Sequence, residues 1–180
     1  MGLEARQDMI IGVVIPLILE HGRDLTSKQI AEACGIAEGT VFRAFGDKET
    51  LITAAVERYL DPLALRTSLR SIDPDLSLDD KLAAIMGLLR DRFAGVIRMM
   101  SALGQSGARP RREGSDPNDF AKAIAELLAP HRDELRIDAE QVAQFARVIA
   151  FASALPVFGD SIPLSSGQLL DLFQHGVMEG

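Results

Sequence analysis

The sequence has 180 residues, 47% of them apolar, and its formal net charge is −7 at pH 7. A chain of this length and apolar content can bury a core as one or two small domains. The negative charge excludes a protein that holds nucleic acid by bulk positive charge, so any DNA contact must be local. The single cysteine excludes an internal disulfide, and the three widely spaced histidines indicate no metal site.

The longest apolar stretch, residues 9–19, is too short to cross a bilayer. It also lacks the basic flank and the small-residue cleavage site of a signal peptide. The sequence therefore predicts a cytoplasmic protein with no membrane partner.

Apolar residues recur at spacings of three and four along almost the whole chain, which predicts an all-α fold. The first helix is expected over Glu4–His21 with Gly22 as its stop, and Pro16 inside it predicts a kink or a later start. The pair Thr26 and Gln29 has the spacing of a capping box, which predicts the start of the second helix.

The chain changes character after Pro62. An apolar face over Leu78–Leu103 predicts a long helix that is the central strut of a second domain. The turn-rich and charged segment Gly104–Asn118 predicts a mobile loop. Helix starts are also expected at four further capping signals: Asp47, Asp116–Pro117, Asp138 and Ser165.

The segment Ile30–Phe45 has the spacing of a helix-turn-helix. Ala31 is small enough for two helices to cross closely, Gly35 supplies the positive φ that a tight turn needs, and Val41 packs the second helix onto the first. This second helix, about Ala37–Phe45, then has its N-terminal end free to enter a major groove.

The stretch LTSKQIAEACGIAEGTVFRAFGDKETL resembles the DNA-binding segment of the tetracycline-repressor (TetR) family of transcriptional regulators. The usual pattern of that family is T-x-x-x-I-A-x-x-A-G-V-S-x-G-x-x-Y-x-x-F-x-x-K-x-x-L, and the resemblance covers about the first 60 residues. It implies an N-terminal three-helix DNA-binding domain, residues 1–60, and a C-terminal helical domain for ligand binding and dimerisation, residues 61–180.

Three residues depart from the family pattern. Phe42 stands where Tyr is usual, so a hydroxyl that would bond a phosphate is missing. Glu38 occupies a position that is often basic, although a carboxylate there can accept from a cytosine amino group. Ala37 replaces the usual Ser cap. The near absence of basic residues before the first helix implies no reading of the minor groove.

The resemblance implies a set of DNA-contacting residues. Arg43 fits a base reader that bonds guanine, although a plain surface arginine is the alternative. Lys48, at a helix start, fits a phosphate contact. The full expected set is Thr26, Ser27, Lys28, Glu38, Gly39, Thr40, Phe42, Arg43 and Lys48.

The second domain is expected to hold an effector and to form a homodimer. Residues for the pocket, which could equally be plain core, are Met86, Leu89, Phe93, Met100, Phe120, Phe145 and Ile149. The last two helices are rich in apolar residues, and the one around FARVIAFASAL is apolar on nearly every side, which predicts contact with a partner. The expected interface residues are Ala146, Ala150, Leu170 and Phe173.

These observations favour a ligand-responsive transcriptional repressor that binds double-stranded operator DNA as a homodimer and is released by a small hydrophobic effector. No cofactor is expected, and no catalytic set, phosphate loop or metal cluster indicates an enzyme. The alternative is a helical carrier or enzyme-like domain that has lost DNA binding, which Phe42, Glu38 and the acidic balance suggest.

Overall fold

The computed structural model describes residues 2–104, 119–155 and 165–178. Over these ranges the regular structure is helical. The described residues contain one isolated β-bridge, between Leu135 and Met178. The expected all-α fold class is confirmed. The α-helices of the described ranges are α1 (Leu3–His21), α2 (Ser27–Cys34), α3 (Glu38–Phe45), α4 (Lys48–Leu60), α5 (Pro62–Arg70), α6 (Leu78–Ala102), α7 (Asp119–Leu128), α8 (Ala139–Ala154) and α9 (Ser166–Val177).

Two short 3-10 segments complete the described elements, Gly22–Asp24 after α1 and Ala129–Glu134 after α7. Within the same parts of the chain, no helix is long and apolar enough to cross a bilayer. Two expected features lie outside the described residues. They are the cap Asp116–Pro117 and, from residue 105 onward, the loop Gly104–Asn118.

Four helices, α2, α4, α8 and α9, begin at the predicted capping signals. Gln29 donates its backbone N–H to Thr26 Oγ1 at 3.2 Å and accepts the Thr26 N–H at 2.8 Å, which completes the expected capping box of α2. Asp47 caps α4 through the Thr50 N–H at 2.7 Å. Capping boxes also begin α8 and α9, at Asp138 and Ser165. These predictions are confirmed.

The first helix follows its predicted bounds to within one residue, and the later start that Pro16 suggested is wrong. It begins at Leu3 rather than later, and it contains Pro16 without interruption. Pro16 lies on the exposed side of α1, while Ile10, Val14 and Ile18 are buried on the opposite side. The lost backbone hydrogen bond of the proline therefore falls next to solvent rather than in the core.

The described chain divides into two compact units. The first comprises Met1–Asp61 with Val96–Ala108, and the second comprises Pro62–Gly95 with Arg109–Gly180, as far as these ranges are described. The last two turns of α6 therefore belong to the first unit, which a division at residue 60 does not anticipate.

The first unit has its own apolar core. Helix α1 supplies a stripe at four-residue spacing, Ile10, Val14 and Ile18, and the end of α6 supplies Met99 and Leu103. Complete burial of each large aliphatic side chain contributes about 1.5–3 kcal/mol to folding. The other buried members are Leu25, Ile30, Ala31, Val41, Ala44, Leu51, Ile52, Ala55 and Val56.

The second unit is built on the first part of α6. Its buried stripe packs with α7, α8 and α9, and with Leu69 of α5, to form a second core. Helix α5 lies in a stretch for which the sequence predicted no helix. The stripe on α6 is Leu78, Leu82, Ile85, Met86 and Leu89.

A buried lysine joins this core to the 3-10 segment Ala129–Glu134. Lys81 is 1% exposed, and its Nζ lies 2.8 Å from His131 Nε2. Because the ammonium donates to Nε2, the ring proton lies on Nδ1, which is 2.7 Å from a Glu134 carboxylate oxygen. The chain of contacts gives the buried cation a hydrogen-bonding partner and links it to a carboxylate at the surface.

Candidate functional site

The turn between α2 and α3 has the backbone geometry that the sequence predicts. Gly35 adopts φ 64° and ψ 32°, and its N–H donates to the Glu32 carbonyl at 3.1 Å. Ile36 donates to the Ala31 carbonyl at 3.0 Å, which completes a Schellman motif. Ala31 is buried beneath this turn. The motif reverses the chain within a few residues and sets α3 across α2.

Helix α3 has one anchored face and one exposed face. Val41 and Ala44 are buried in the core of the first unit. Glu38, Gly39, Phe42 and Arg43 are exposed. The exposed face includes the first turn of the helix, which is the part that a helix-turn-helix presents to base edges.

Lys48 connects the starts of two helices. Its Nζ donates to the Leu25 carbonyl at 3.1 Å, directly before the cap of α2, while Lys48 itself begins α4. The first turn of an α-helix leaves backbone N–H groups without partners inside the helix and carries partial positive charge. The ammonium of Lys48 has more hydrogens than this one bond uses. Its positive charge therefore lies beside the amides at the start of α2.

The nine expected DNA-contacting residues all lie at least partly at the surface. Ser27, Thr40 and Lys48 are half-buried, and the other six are exposed. Arg43 Nε donates to the Gly39 carbonyl of its own helix at 3.3 Å. Lys28 pairs with Glu32 at 3.8 Å on the exposed side of α2. These contacts are local and solvent-exposed, so DNA can replace them at little cost.

Two titratable groups of this region have shifted pKa values. The backbone N–H of Thr50, and then its side chain, hold the pKa of Asp47 below its ordinary value, so the cap of α4 stays charged at neutral pH. Burial raises the pKa of the Cys34 thiol. Cys34 packs against the core of the first unit, which agrees with a small packed residue.

Comparison with known proteins identifies this region. The family profile described as "Bacterial regulatory proteins, tetR family" matches residues 15–55, a range that includes α2, the turn and α3. Over residues 15–55 the chain matches the DNA-binding domain of the TetR family. No curated protein matches the sequence significantly.

Solved structures share the fold of this chain over nearly its whole length. A TetR transcriptional regulator from Streptomyces coelicolor is 23% identical, with 96% of this chain and 98% of that chain covered and a TM-score of 0.56. NalD of Pseudomonas aeruginosa, the secondary repressor of the MexAB-OprM multidrug efflux pump, is 20% identical, with coverage of 98% and 97% and a TM-score of 0.53. A TetR-family regulator from Haemophilus influenzae is 13% identical, with 96% of both chains covered and a TM-score of 0.57.

The expected pocket residues do not form one group. Met86 and Leu89 are buried in the core of the second unit, where Phe93, Phe120 and Ile149 are half-buried at its edge. Phe93 packs edge-on against Phe151, and Arg147 lies over the Phe120 ring at 5.7 Å. The two remaining residues have other positions: Met100 belongs to the first unit, and Phe145 is 43% exposed.

An open cleft of about 470 Å³ is present elsewhere in the second unit. It shares none of the seven expected pocket residues. Its lining comes from α5, the turn after α5, and α6, and consists of Ser68, Ser71, Ile72, Ala84, Gly87, Leu88 and Asp91.

The expected dimer residues need a correction. Ala146 and Ala150 are 0% exposed and Phe173 is 1% exposed, all within the chain's own core. A side chain with no exposed surface gains no burial from a partner, so these three residues are not interface residues. Leu170 is half-buried. The exposed large apolar residues of α8 and α9 are Phe145, Val148, Phe151 and Leu172.

Two further residues of the site were not predicted from the sequence. Leu25 offers its backbone carbonyl to Lys48, and Gln7 of α1 contacts the end of α3. Within the described ranges, no group of three or more His, Cys, Asp or Glu residues could hold a metal ion.

Proposed function

We propose that this chain is a homodimeric transcriptional repressor that binds double-stranded operator DNA through α2, α3 and the start of α4. The observation that carries the proposal is the two-sided packing of α3. Val41 and Ala44 hold one face in the core, and the face with Glu38, Phe42 and Arg43 is exposed. A short helix held in this way can enter a major groove without disturbing the core.

The proposed contacts divide into positioning and reading groups. Lys48 and the start of α2, with Thr26, Ser27 and Lys28, contact phosphates. Arg43 bonds a guanine, Glu38 accepts from a cytosine amino group, and the exposed ring of Phe42 packs on a thymine methyl group. Gly39, which has no side chain, allows the backbone of α3 to approach the groove closely, and Thr40 faces the phosphate backbone.

The acidic balance of the chain limits the electrostatic contribution to binding. If Lys28 and Lys48 of each subunit neutralise phosphates, the logarithm of the association constant falls with the logarithm of salt concentration with a slope of about −4. Binding then depends on a correct fit to the bases more than on charge, which suits a regulator that must ignore most of the genome.

The proposed dimer joins subunits through the exposed apolar residues of α8 and α9. Two recognition helices must reach successive major grooves about 34 Å apart, which one small DNA-binding unit cannot do. Phe145, Val148, Phe151 and Leu172 give a partner copy an apolar surface. A symmetric pairing of α8 and α9 with their partner copies buries these side chains in a four-helix arrangement.

The proposed effector is a small hydrophobic molecule that binds in the second unit. Phe93, Phe120 and Ile149 lie half-buried at the edge of its core, where a ligand can reach apolar surface. Release requires that the effector favour a state with low DNA affinity, and operator DNA then weakens effector binding by the same factor.

A regulator of this kind works in the cytoplasm, where its DNA lies, and needs no catalytic residues. The alternative, a helical carrier or enzyme-like domain without DNA binding, draws on the exposed carboxylate of Glu38 in the first turn of α3. An anion there repels phosphates unless it meets a base amino group.

A titration separates the two functions. The full chain is mixed with a labelled duplex from the region upstream of its own gene and with a duplex of the same composition in scrambled order. A repressor binds the first at least a hundredfold more tightly at physiological salt. Equal binding of both duplexes, or binding of neither, contradicts the proposal and leaves the carrier.

A further inference from the structure

Gln7 makes a tertiary contact with the end of the recognition helix α3. Its side-chain Nε2 donates to the Ala44 carbonyl oxygen at 2.7 Å, across 37 residues of sequence. Gln7 lies near the start of α1 and is half-buried, and both residues belong to the first unit. The contact is therefore a partly desolvated hydrogen bond between two separate helices.

The acceptor of this bond is a carbonyl that needs a partner. Ala44 is the second-last residue of α3. The last carbonyls of an α-helix accept no hydrogen bond from within the helix. The Gly46 N–H donates to the Phe42 carbonyl at 2.7 Å. Gln7 provides a donor for the carbonyl of Ala44, and this donor comes from a different helix.

The start of α3 has weaker local support than its end. Ala37 occupies the cap position and makes no side-chain capping bond. None of the first three residues of the helix is buried, and its buried side chains are Val41, at the fourth position, and Ala44. The direction of the exposed first turn therefore depends on how the end of the helix is held.

The length of α3 makes its direction sensitive to this contact. Eight residues span about 12 Å, so a tilt of about 5° at one end moves the other end by about 1 Å. A hydrogen bond to a base edge tolerates only a few tenths of an ångström. Contacts to phosphates by the long side chain of Lys48, which lies outside α3, tolerate more.

We propose that Gln7 is a positioning residue that fixes the direction of α3 and thereby sets DNA sequence discrimination without setting affinity for DNA in general. This inference rests on the proposed function, because it concerns the same DNA interface. Gln7 acts through the Ala44 carbonyl and reads no base itself.

The chain offers a matched pair of variants. Gln7→Met keeps the length and helix preference of the side chain and removes its donor. Gln174→Met removes a similar bond, from Gln174 Nε2 to the Asp79 carbonyl at 2.9 Å, in the second unit. The second variant is the control, since its contact does not involve α3.

The test combines hydrogen exchange of the DNA-free chain with DNA titrations. In Gln7→Met we expect the amides of residues 42–46 to exchange about fivefold faster, while those of α4 keep their wild-type rates. We also expect the ratio of affinities for the upstream and scrambled duplexes to fall about tenfold. The affinity for the scrambled duplex and its salt dependence stay within twofold of wild type. Gln174→Met changes none of these quantities.

Each result decides the proposal. An equal loss of affinity for both duplexes in Gln7→Met would indicate a purely structural role and overturn it. Unchanged exchange in α3 together with unchanged discrimination would overturn it as well. If the wild-type chain discriminates between duplexes and Gln7→Met does so equally well, this inference alone fails. A wild-type chain that discriminates no sequence overturns this inference and the proposed function together.

Discussion

The backbone of Gly22, at the end of α1, lies directly against the carbonyl oxygen of Ala102, at the end of α6. A β-carbon on Gly22 would overlap that oxygen, and the adjacent Arg23 donates its Nε to the carbonyl of Leu103. Both contacts lie within the first unit. The turn after α1 therefore requires a glycine for two reasons, because it has a positive φ of 57° and because it leaves no room for a side chain.

Gly22→Ala is expected to destabilise the chain far more than Gly35→Ala. Both glycines have positive φ, but a β-carbon at Gly35 meets nothing within 4 Å. The left-handed conformation alone costs about 1–2 kcal/mol at Gly35. At Gly22 the backbone overlap adds to the strain, for a total of about 3 kcal/mol or more. Urea unfolding of the two variants measures the difference, and equal losses would show that the Ala102 contact can relax.

Lys48→Ala and Arg43→Ala are expected to change DNA binding in different ways. Lys48→Ala weakens binding to all sequences and reduces the salt slope by about 1 per site, whereas Arg43→Ala mainly relaxes preference at one base pair. Lys48→Ala also lowers the free energy of unfolding by about 1 kcal/mol because it removes the bond to the Leu25 carbonyl. Titrations at two salt concentrations and a urea unfolding curve test both parts. Equal loss of specificity in both variants would contradict the assignment.

Asp47 is expected to make the stability of α4 sensitive to acid. Its pKa lies below the ordinary value of 3.8 in the folded chain, chiefly because the carboxylate accepts the Thr50 N–H. A depressed pKa means that the charged cap stabilises the fold above pH 3.8, and that this contribution is lost as the pH falls through the lower folded value. Asp47→Asn keeps a capping side chain without the charge. The difference in melting temperature between wild type and D47N is expected to shrink between pH 7 and pH 3, and a difference that grows would contradict the sign.

The features that sequence reasoning predicted well are local ones. The capping boxes at Thr26 and Ser165 join residues three apart, and the Schellman turn at Gly35 needs only its immediate neighbours. Their residue types and spacing are visible in the sequence, so the start of α2, the turn and the start of α9 follow from it.

The features that sequence reasoning missed depend on tertiary packing. Helix α5 has nine residues, begins with a proline and is too short to be stable alone, so its packing against α7 decides its existence. The bond from Lys48 to Leu25 spans 23 residues and the bond from Gln7 to Ala44 spans 37. No local pattern predicts either bond, since glutamine and lysine at such positions are ordinarily solvated.

Helix α8 shows how a periodic pattern can predict a helix and leave its orientation open. Apolar residues surround α8 on nearly every side, so the choice of the face toward the chain's own core was not determined by spacing. At 100° per residue, Ala143, Ala146 and Ala150 share one side, and Phe145, Val148 and Phe151 share the other. The small residues fill the closely packed side and the large ones remain outside, which moves the proposed dimer surface to the second group.

Val148→Glu is therefore expected to disrupt the dimer, and Ala146→Glu is expected to disrupt the fold. Val148 is 64% exposed, so a glutamate there leaves the monomer folded and places a charge in the proposed dimer surface. Ala146 is 0% exposed, and a glutamate there must bury a carboxylate without a partner, which costs several kcal/mol and unfolds the second unit. Light scattering and circular dichroism distinguish the outcomes: a helical monomer that has lost operator binding for V148E, and loss of helical signal for A146E. If V148E remains a dimer, and Phe145→Glu and Leu172→Glu do as well, subunits pair through a different surface and the proposed interface is wrong.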